Sequence, residues 1–143
     1  MTDTFYGAGI VTRADEQPST NFQKVKQFML AFEQEVPDHA QLPDKKIEAL
    51  RYELIREELA EFKDALDNQD LVEAADALTD LLYVVYGAGL AFGIDLDKCF
   101  AEVHRSNMTK LDENGKVLRR EDGKVMKSPL FEPPQLERIV FGD

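Results

Sequence analysis

Apolar residues recur at helical spacing along most of the chain, and the places where that spacing lapses divide it. Phe22, Val25, Met29, Phe32 and Val36 fall at intervals of three and four, which predicts a first helix entered from Ser19 or Thr20, both suitable N-caps. Pro37 and Pro43 bracket a loop. Asp44 then caps a second helix running to about Asp67, with Ile47, Leu50, Leu54, Leu59, Phe62 and Leu66 as its apolar set. The short link Asn68-Gln69-Asp70 predicts that the second and third helices are antiparallel neighbours. The third runs from about Leu71 to Phe92, where Gly93 suits a C-terminal cap. A fourth starts at Asp95 or Asp97 and ends near Lys110.

Beyond Lys110 the helical period is lost. Asn114-Gly115 and Asp122-Gly123 are turn signals on either side of Lys116-Val117-Leu118-Arg119-Arg120, and a last short turn follows Pro133-Pro134 through Leu136, Ile139 and Val140. The expected fold is all-α: an antiparallel helical bundle of about four main helices with a short extended or β-hairpin C-terminal tail. The expected division is an N-terminal arm over 1–18, a helical domain over 19–110 and a tail over 111–143.

Composition narrows the setting. At 143 residues, 43% hydrophobic and 31% charged, the chain is one globular domain's worth. A formal net charge of -11 argues against indiscriminate nucleic-acid binding, which needs cationic side chains against phosphates. The one cysteine, Cys99, allows no internal disulfide. No signal segment is evident, and the uncharged run 81–94 is too short to span a bilayer, so the cytoplasm and no membrane partner are expected.

Against this background two acidic clusters stand out, Glu57-Glu58-Leu59-Ala60-Glu61 and Asp76-Ala77-Leu78-Thr79-Asp80. At about 100° per residue, with Glu57 at zero, Leu50, Leu54, Ile47 and Phe62 fall at about 20°, 60°, 80° and 140°. Glu61 and Glu58, at about 40° and 100°, lie inside that apolar arc, and Glu57 sits at its rim. Asp76 and Asp80 are four residues apart and share one face of the third helix, with Glu73 on the same stripe. Buried carboxylates need compensation. Four or five convergent ones make an oxygen-rich site suited to Mg²⁺ or Mn²⁺. Glu-rich helices also occur as plain solvated faces, and pairing with Arg51 or Arg56 is a structural alternative.

The fourth helix carries a second anomaly. Asn107 falls within the stripe of Leu96, Phe100, Val103 and Leu111, and Lys110 lies beside it. A satisfied core asparagine and a contact to phosphate or base are both open readings. His39 and His104 have no metal-ligand spacing and receive no role.

Taken together, Leu50-Arg51, Glu57-Glu58-Leu59-Ala60-Glu61, Asp76-Ala77-Leu78-Thr79-Asp80-Leu81-Leu82-Tyr83 and Glu102-Val103-His104-Arg105-Ser106-Asn107-Met108-Thr109-Lys110 resemble the all-α nucleoside triphosphate pyrophosphohydrolases. That superfamily includes MazG-like proteins, phosphoribosyl-ATP pyrophosphohydrolases and dimeric dUTPases, and the tail looks like the small bacterial or phage MazG-like branch. Its pattern is EExxE on one helix and ExxD on the next. Glu57, Glu58 and Glu61 match the first; in the second, Asp80 matches the Asp, while Ala77 stands where the Glu is expected and Asp76 is its neighbour.

The resemblance implies hydrolysis between the α- and β-phosphates of a nucleotide, giving a nucleoside monophosphate and pyrophosphate. On that reading Glu58, Glu61, Asp76 and Asp80 hold Mg²⁺ (or Mn²⁺), Glu57 orients or deprotonates the attacking water, and Asn107 and Lys110 bind substrate. A homodimer or homotetramer completes the pocket. The competing expectations are a phosphoribosyl-ATP pyrophosphohydrolase of histidine biosynthesis and a non-catalytic acidic helical interaction module.

Overall fold

A computed structural model describes residues 17–142, so the expected N-terminal arm lies almost wholly outside the described residues. The chain packs as two units, the first ending at Ile94 and the second beginning at Asp95.

The first unit holds α1 (Asn21–Ala31), α2 (Lys45–Asp67) and α3 (Leu71–Ala91). Thr20 starts α1 with a capping box: its side chain accepts from the Gln23 backbone, and Gln23 Oε1 accepts from the Thr20 N–H. Asp44 and Asp70 cap α2 and α3 with their side chains alone, accepting from the N–H groups of Ile47 and Glu73. The first helix stops short of the expected Val36. Phe32 is its C-cap, and Glu33 turns the chain in a left-handed conformation (φ 59°). The freed N–H groups of Glu33 and Gln34 then close on Leu30 and Met29 carbonyls, so satisfied end groups override the continuing apolar spacing.

The same device makes the tight turn between α2 and α3. Gln69 is left-handed (φ 51°), and Asp70 donates its N–H to the Ala65 carbonyl while capping α3 with its side chain. α2 and α3 thus form the antiparallel pair expected from the short link, and α1 packs on α3. At the end of α3, Gly93 (φ 69°) is required twice over: by its left-handed backbone, and because a Cβ there would sit 2.1 Å from the His39 carbonyl oxygen. Gln41 N–H also bonds the Phe92 carbonyl, anchoring the α1–α2 loop to this helix end.

The core combines Phe22, Val25 and Met29 of α1 with small residues of the hairpin, Ala65, Ala74 and Ala77, and with Leu90 and Ala91. Phe22 meets Tyr86 edge-on at 6.0 Å. Leu50, Leu59 and Leu66 of the apolar set expected for α2 are exposed, and so are Leu78, Leu82 and Val85 on α3. The reason is geometric. α3 is apolar over most of its circumference, and its neighbours cover only part of it.

The second unit holds α4 (Leu96–Met108), a two-stranded antiparallel hairpin of β1 (Leu118–Arg119) and β2 (Val125–Met126), and α5 (Leu136–Phe141). Asp95 caps α4 through the Lys98 N–H. The Asp122-Gly123 turn closes the hairpin, as its sequence indicated, and Asn114-Gly115 forms a separate turn under Asp112. This unit is tied together by polar groups. Ser128 is buried, with its hydroxyl donating toward the carbonyls of Leu111 (2.8 Å) and Thr109 (3.2 Å) and accepting from Leu130 N–H. Ser106 donates to the Glu132 carbonyl at 2.7 Å. Among the described residues, no single helix is long and apolar enough to cross a membrane.

Candidate functional site: an acidic cluster between paired helices

Because α2 and α3 fold back about Gln69, residues equally far along the chain on either side of it lie level. Glu58 and Asp80 are each eleven residues away, and Glu61 and Ala77 are each eight away. Helical spacing stacks Glu58 and Glu61 on successive turns of α2. The result is that carboxylate oxygens of Glu58, Glu61 and Asp80 lie within 4.8 Å of one another. Glu58 and Asp80 are half-buried, and Glu61 is exposed.

The electrostatics of this group are uncompensated. Burial pushes the Glu58 carboxyl above its ordinary range, reinforced by the charge of Glu61, then that of Asp80, a hydrogen bond with Glu61, and the charge of Asp76. Asp80 is raised for the same reasons, burial first, then Asp76 and Glu61. Oε2 of Glu58 is buried and has no hydrogen-bond partner. The two arginines that the sequence offered as partners of the cluster are engaged elsewhere. Arg56 forks onto Glu53, and Arg51 donates to Gln34 Oε1 at 3.1 Å. Lys63 pairs with Asp67. Among the described residues no ion pair includes Glu58, Glu61 or Asp80. An all-oxygen donor set with an orphaned buried oxygen is chemically suited to a hard divalent cation.

The remaining candidates are placed as follows. Asp76 is exposed and outside the close group, though its charge acts on both Glu58 and Asp80. Ala77 is buried at 2% exposure, level with Glu61, so a longer side chain there would have to displace packing between the helices. Glu57 is exposed next to the cluster on α2, and Glu73 is exposed near the start of α3.

Asn107 and Lys110 belong to the second unit. Asn107 is exposed, as is Phe100 of the same stripe, so the reading of a core asparagine is set aside. Lys110 is half-buried. Much of the motif around them is structural. Arg105 bridges Glu102 and Glu132, Glu102 also accepts from the Gln135 N–H, and Thr109 accepts from the Glu132 N–H. Arg105 beside it, and then that backbone N–H, hold Glu102 down at about 2.

One feature escaped the sequence: Arg51 lies against α3 where Gly87 leaves room for it, and its signal was the glycine seven residues after Asp80. Phe28, Phe32 and Tyr83 form an aromatic group.

Fold and site together define an all-α protein whose paired helices converge carboxylates into an oxygen-only acidic site. A profile of the phosphoribosyl-ATP pyrophosphohydrolase family matches residues 25–107, more than half of the chain, and the chain belongs to that family. The family's enzymes are pyrophosphohydrolases of nucleotide substrates and typically depend on Mg²⁺. The match spans α1 to α4 and stops at Asn107, before Lys110 and the tail. The chain is also 34% identical over 107 residues to an uncharacterized protein of Acanthamoeba polyphaga mimivirus, an alignment covering 71% of this chain and 39% of that relative.

Proposed function

We propose that this protein is a divalent-cation-dependent nucleoside triphosphate pyrophosphohydrolase, cleaving the α–β phosphoanhydride to a nucleoside monophosphate and pyrophosphate in nucleotide-pool house-cleaning. The observation that carries this reading is the close group of Glu58, Glu61 and Asp80, without a cationic partner, in a chain of this family. Those three residues, joined by Asp76 at the edge, would hold Mg²⁺ or Mn²⁺. Such an ion supplies positive charge that neutralises phosphate oxygens. Glu57 takes the proton of the water whose oxygen attacks phosphorus; the bridging P–O bond breaks and pyrophosphate leaves. Lys110 and Asn107 of the second unit are proposed as further substrate contacts, Lys110 to phosphate and Asn107 to the nucleotide.

Phosphoribosyl-ATP is the second substrate reading, favoured by the description of the matching family. Turnover of phosphoribosyl-ATP beside a panel of dNTPs and NTPs, followed as pyrophosphate release with Mg²⁺, separates the two. A chain with no turnover of any of these, and no stabilisation by Mg²⁺, would instead be an acidic interaction module.

The working assembly in this reading is a homodimer or homotetramer. Tyr52, Leu59 and Leu66 on α2 and Leu71, Leu78 and Val85 on α3 are exposed apolar residues at seven-residue spacing, which supports helix-to-helix association. Light scattering that found a stable monomer would remove this part. The single cysteine is consistent with a reducing cytoplasm, the compartment proposed here.

A further inference from the structure

Phe22, Phe28 and Phe32 lie on one short segment but have different fates. Phe22 is buried against Tyr86. Phe28 and Phe32 stack on each other instead, with ring centroids 4.3 Å apart and planes at 27°, and Phe28 meets Tyr83 edge-on at 5.5 Å. All three rings face water in part: Phe28 is 38%, Tyr83 39% and Phe32 65% exposed. Phe32 is the C-cap of α1, just before the left-handed turn at Glu33, so its ring is carried past the end of the helix face that packs on α3.

The position of this group gives it meaning. Tyr83 is three residues after Asp80 and seven after Asp76, so it shares their face of α3, with about 5–6 Å between the Cβ atoms of Asp80 and Tyr83. A flat, partly exposed aromatic surface therefore begins one helical turn from the acidic cluster, within the same unit. A nucleotide has the matching layout: a polyanionic chain that a cation bound by carboxylates would hold, then a sugar, then a planar π-face.

We propose that Phe28, Phe32 and Tyr83 form the seat of the substrate's base, Phe32 giving the open stacking face and Tyr83 linking it to the acidic cluster. This rests on the pyrophosphohydrolase reading and adds where the base lies. Stacking on an aromatic side chain is tolerant of base identity. The seat thus supplies affinity for nucleotides as a class and leaves the choice among bases to hydrogen-bonding groups around it.

The test compares wild type with Phe32→Ala and Tyr83→Leu, and with Phe100→Ala as a control, because Phe100 is an exposed ring on α4. Pyrophosphate release is followed for the best nucleotide of a dNTP and NTP panel, with inorganic tripolyphosphate as a competitor that has no base. The expected result for Phe32→Ala is a KM raised about tenfold, kcat within about twofold, and an unchanged inhibition constant for tripolyphosphate. Phe100→Ala should change none of these. An unchanged KM in Phe32→Ala, or a tripolyphosphate constant that rises with it, overturns the proposal while leaving the parent reading in place. So does a change of mass in light scattering with unchanged KM, which would make the rings an interface between copies. A wild type that releases pyrophosphate from no nucleotide overturns both.

Discussion

The guanidinium of Arg51 occupies the space that a side chain on Gly87 would take: a Cβ there would lie 2.8 Å from Arg51 Nη1. Burial pushes the Arg51 guanidinium below its ordinary pKa, and its Nε is buried without a partner. Gln34 Oε1 is its acceptor, so a residue of the loop, one of α2 and one of α3 meet at this point. Glycine within a helix costs about 1 kcal/mol relative to alanine, and here it makes room for the cation.

Gly87→Ala is therefore expected to bring little or no gain in stability on its own. In an Arg51→Met background the same change should gain about 1 kcal/mol, the full helix propensity. Chemical denaturation of the four proteins of this cycle measures the coupling. Effects that add within about 0.3 kcal/mol would contradict the contact.

The acidic cluster makes a prediction about pH. Glu58 and Asp80 have raised pKa values in the folded protein, so the folded state holds their protons more tightly than the unfolded chain does. Without divalent cations, their contribution is fully present below the ordinary carboxylate pKa of about 4 and is lost as pH rises through the raised values. Relative to Glu58→Gln, wild-type protein should lose stability from mildly acid to neutral pH. Mg²⁺ at a hundredfold excess over its Kd should stabilise the wild type by about 2.7 kcal/mol and the variant less. Thermal melts at two pH values check this; equal Mg²⁺ stabilisation of both proteins would place the ion elsewhere.

Ser128 satisfies three backbone groups of the second unit from a buried position. Ser128→Ala should cost about 1–3 kcal/mol and speed hydrogen exchange at the Leu130 amide. Unchanged exchange at Leu130 would mean that the hydroxyl does not hold this turn.

Glu102 titrates at about 2 because Arg105, and then the Gln135 N–H, favour its charged form. Its contribution to stability is present above the unfolded carboxylate value of about 4.3 and is lost as pH falls through about 2. In Arg105→Ala an NMR titration of the Glu102 carboxyl should move up toward the ordinary range. A titration that does not move would leave the backbone N–H as its main support.

Much of this was legible in the chain itself, because helix boundaries are local chemistry. Asp44 caps the second helix as expected, Asp95 is the one of the two expected starts that caps the fourth, and Asp122-Gly123 makes the hairpin turn. The closeness of Glu58, Glu61 and Asp80 was readable because a three-residue link fixes which positions lie level. Val36 was misread because apolar spacing does not reveal that Glu33 accepts a left-handed backbone. Leu59 and Leu66 follow the apolar period of α2 but are exposed, because periodicity does not tell how much of a helix its neighbours cover. Ser106 and Ser128 are buried through partners more than fifteen residues away, which no local pattern encodes. Asp76 was the natural replacement for the Glu expected at Ala77, yet it lies outside the close group.

The central claim is that Glu58, with Glu61 and Asp80, holds the ion on which nucleotide hydrolysis depends. Glu58→Gln preserves shape and removes one charge. Pyrophosphate release from the best nucleotide of the panel, measured with Mg²⁺ for both proteins and again after chelation, tests it most directly. The account predicts turnover in the wild type that chelation abolishes, and a loss of at least about a hundredfold in Glu58→Gln, of the order of 2.7 kcal/mol in transition-state stabilisation. Full turnover in Glu58→Gln, or turnover indifferent to chelation, would contradict it.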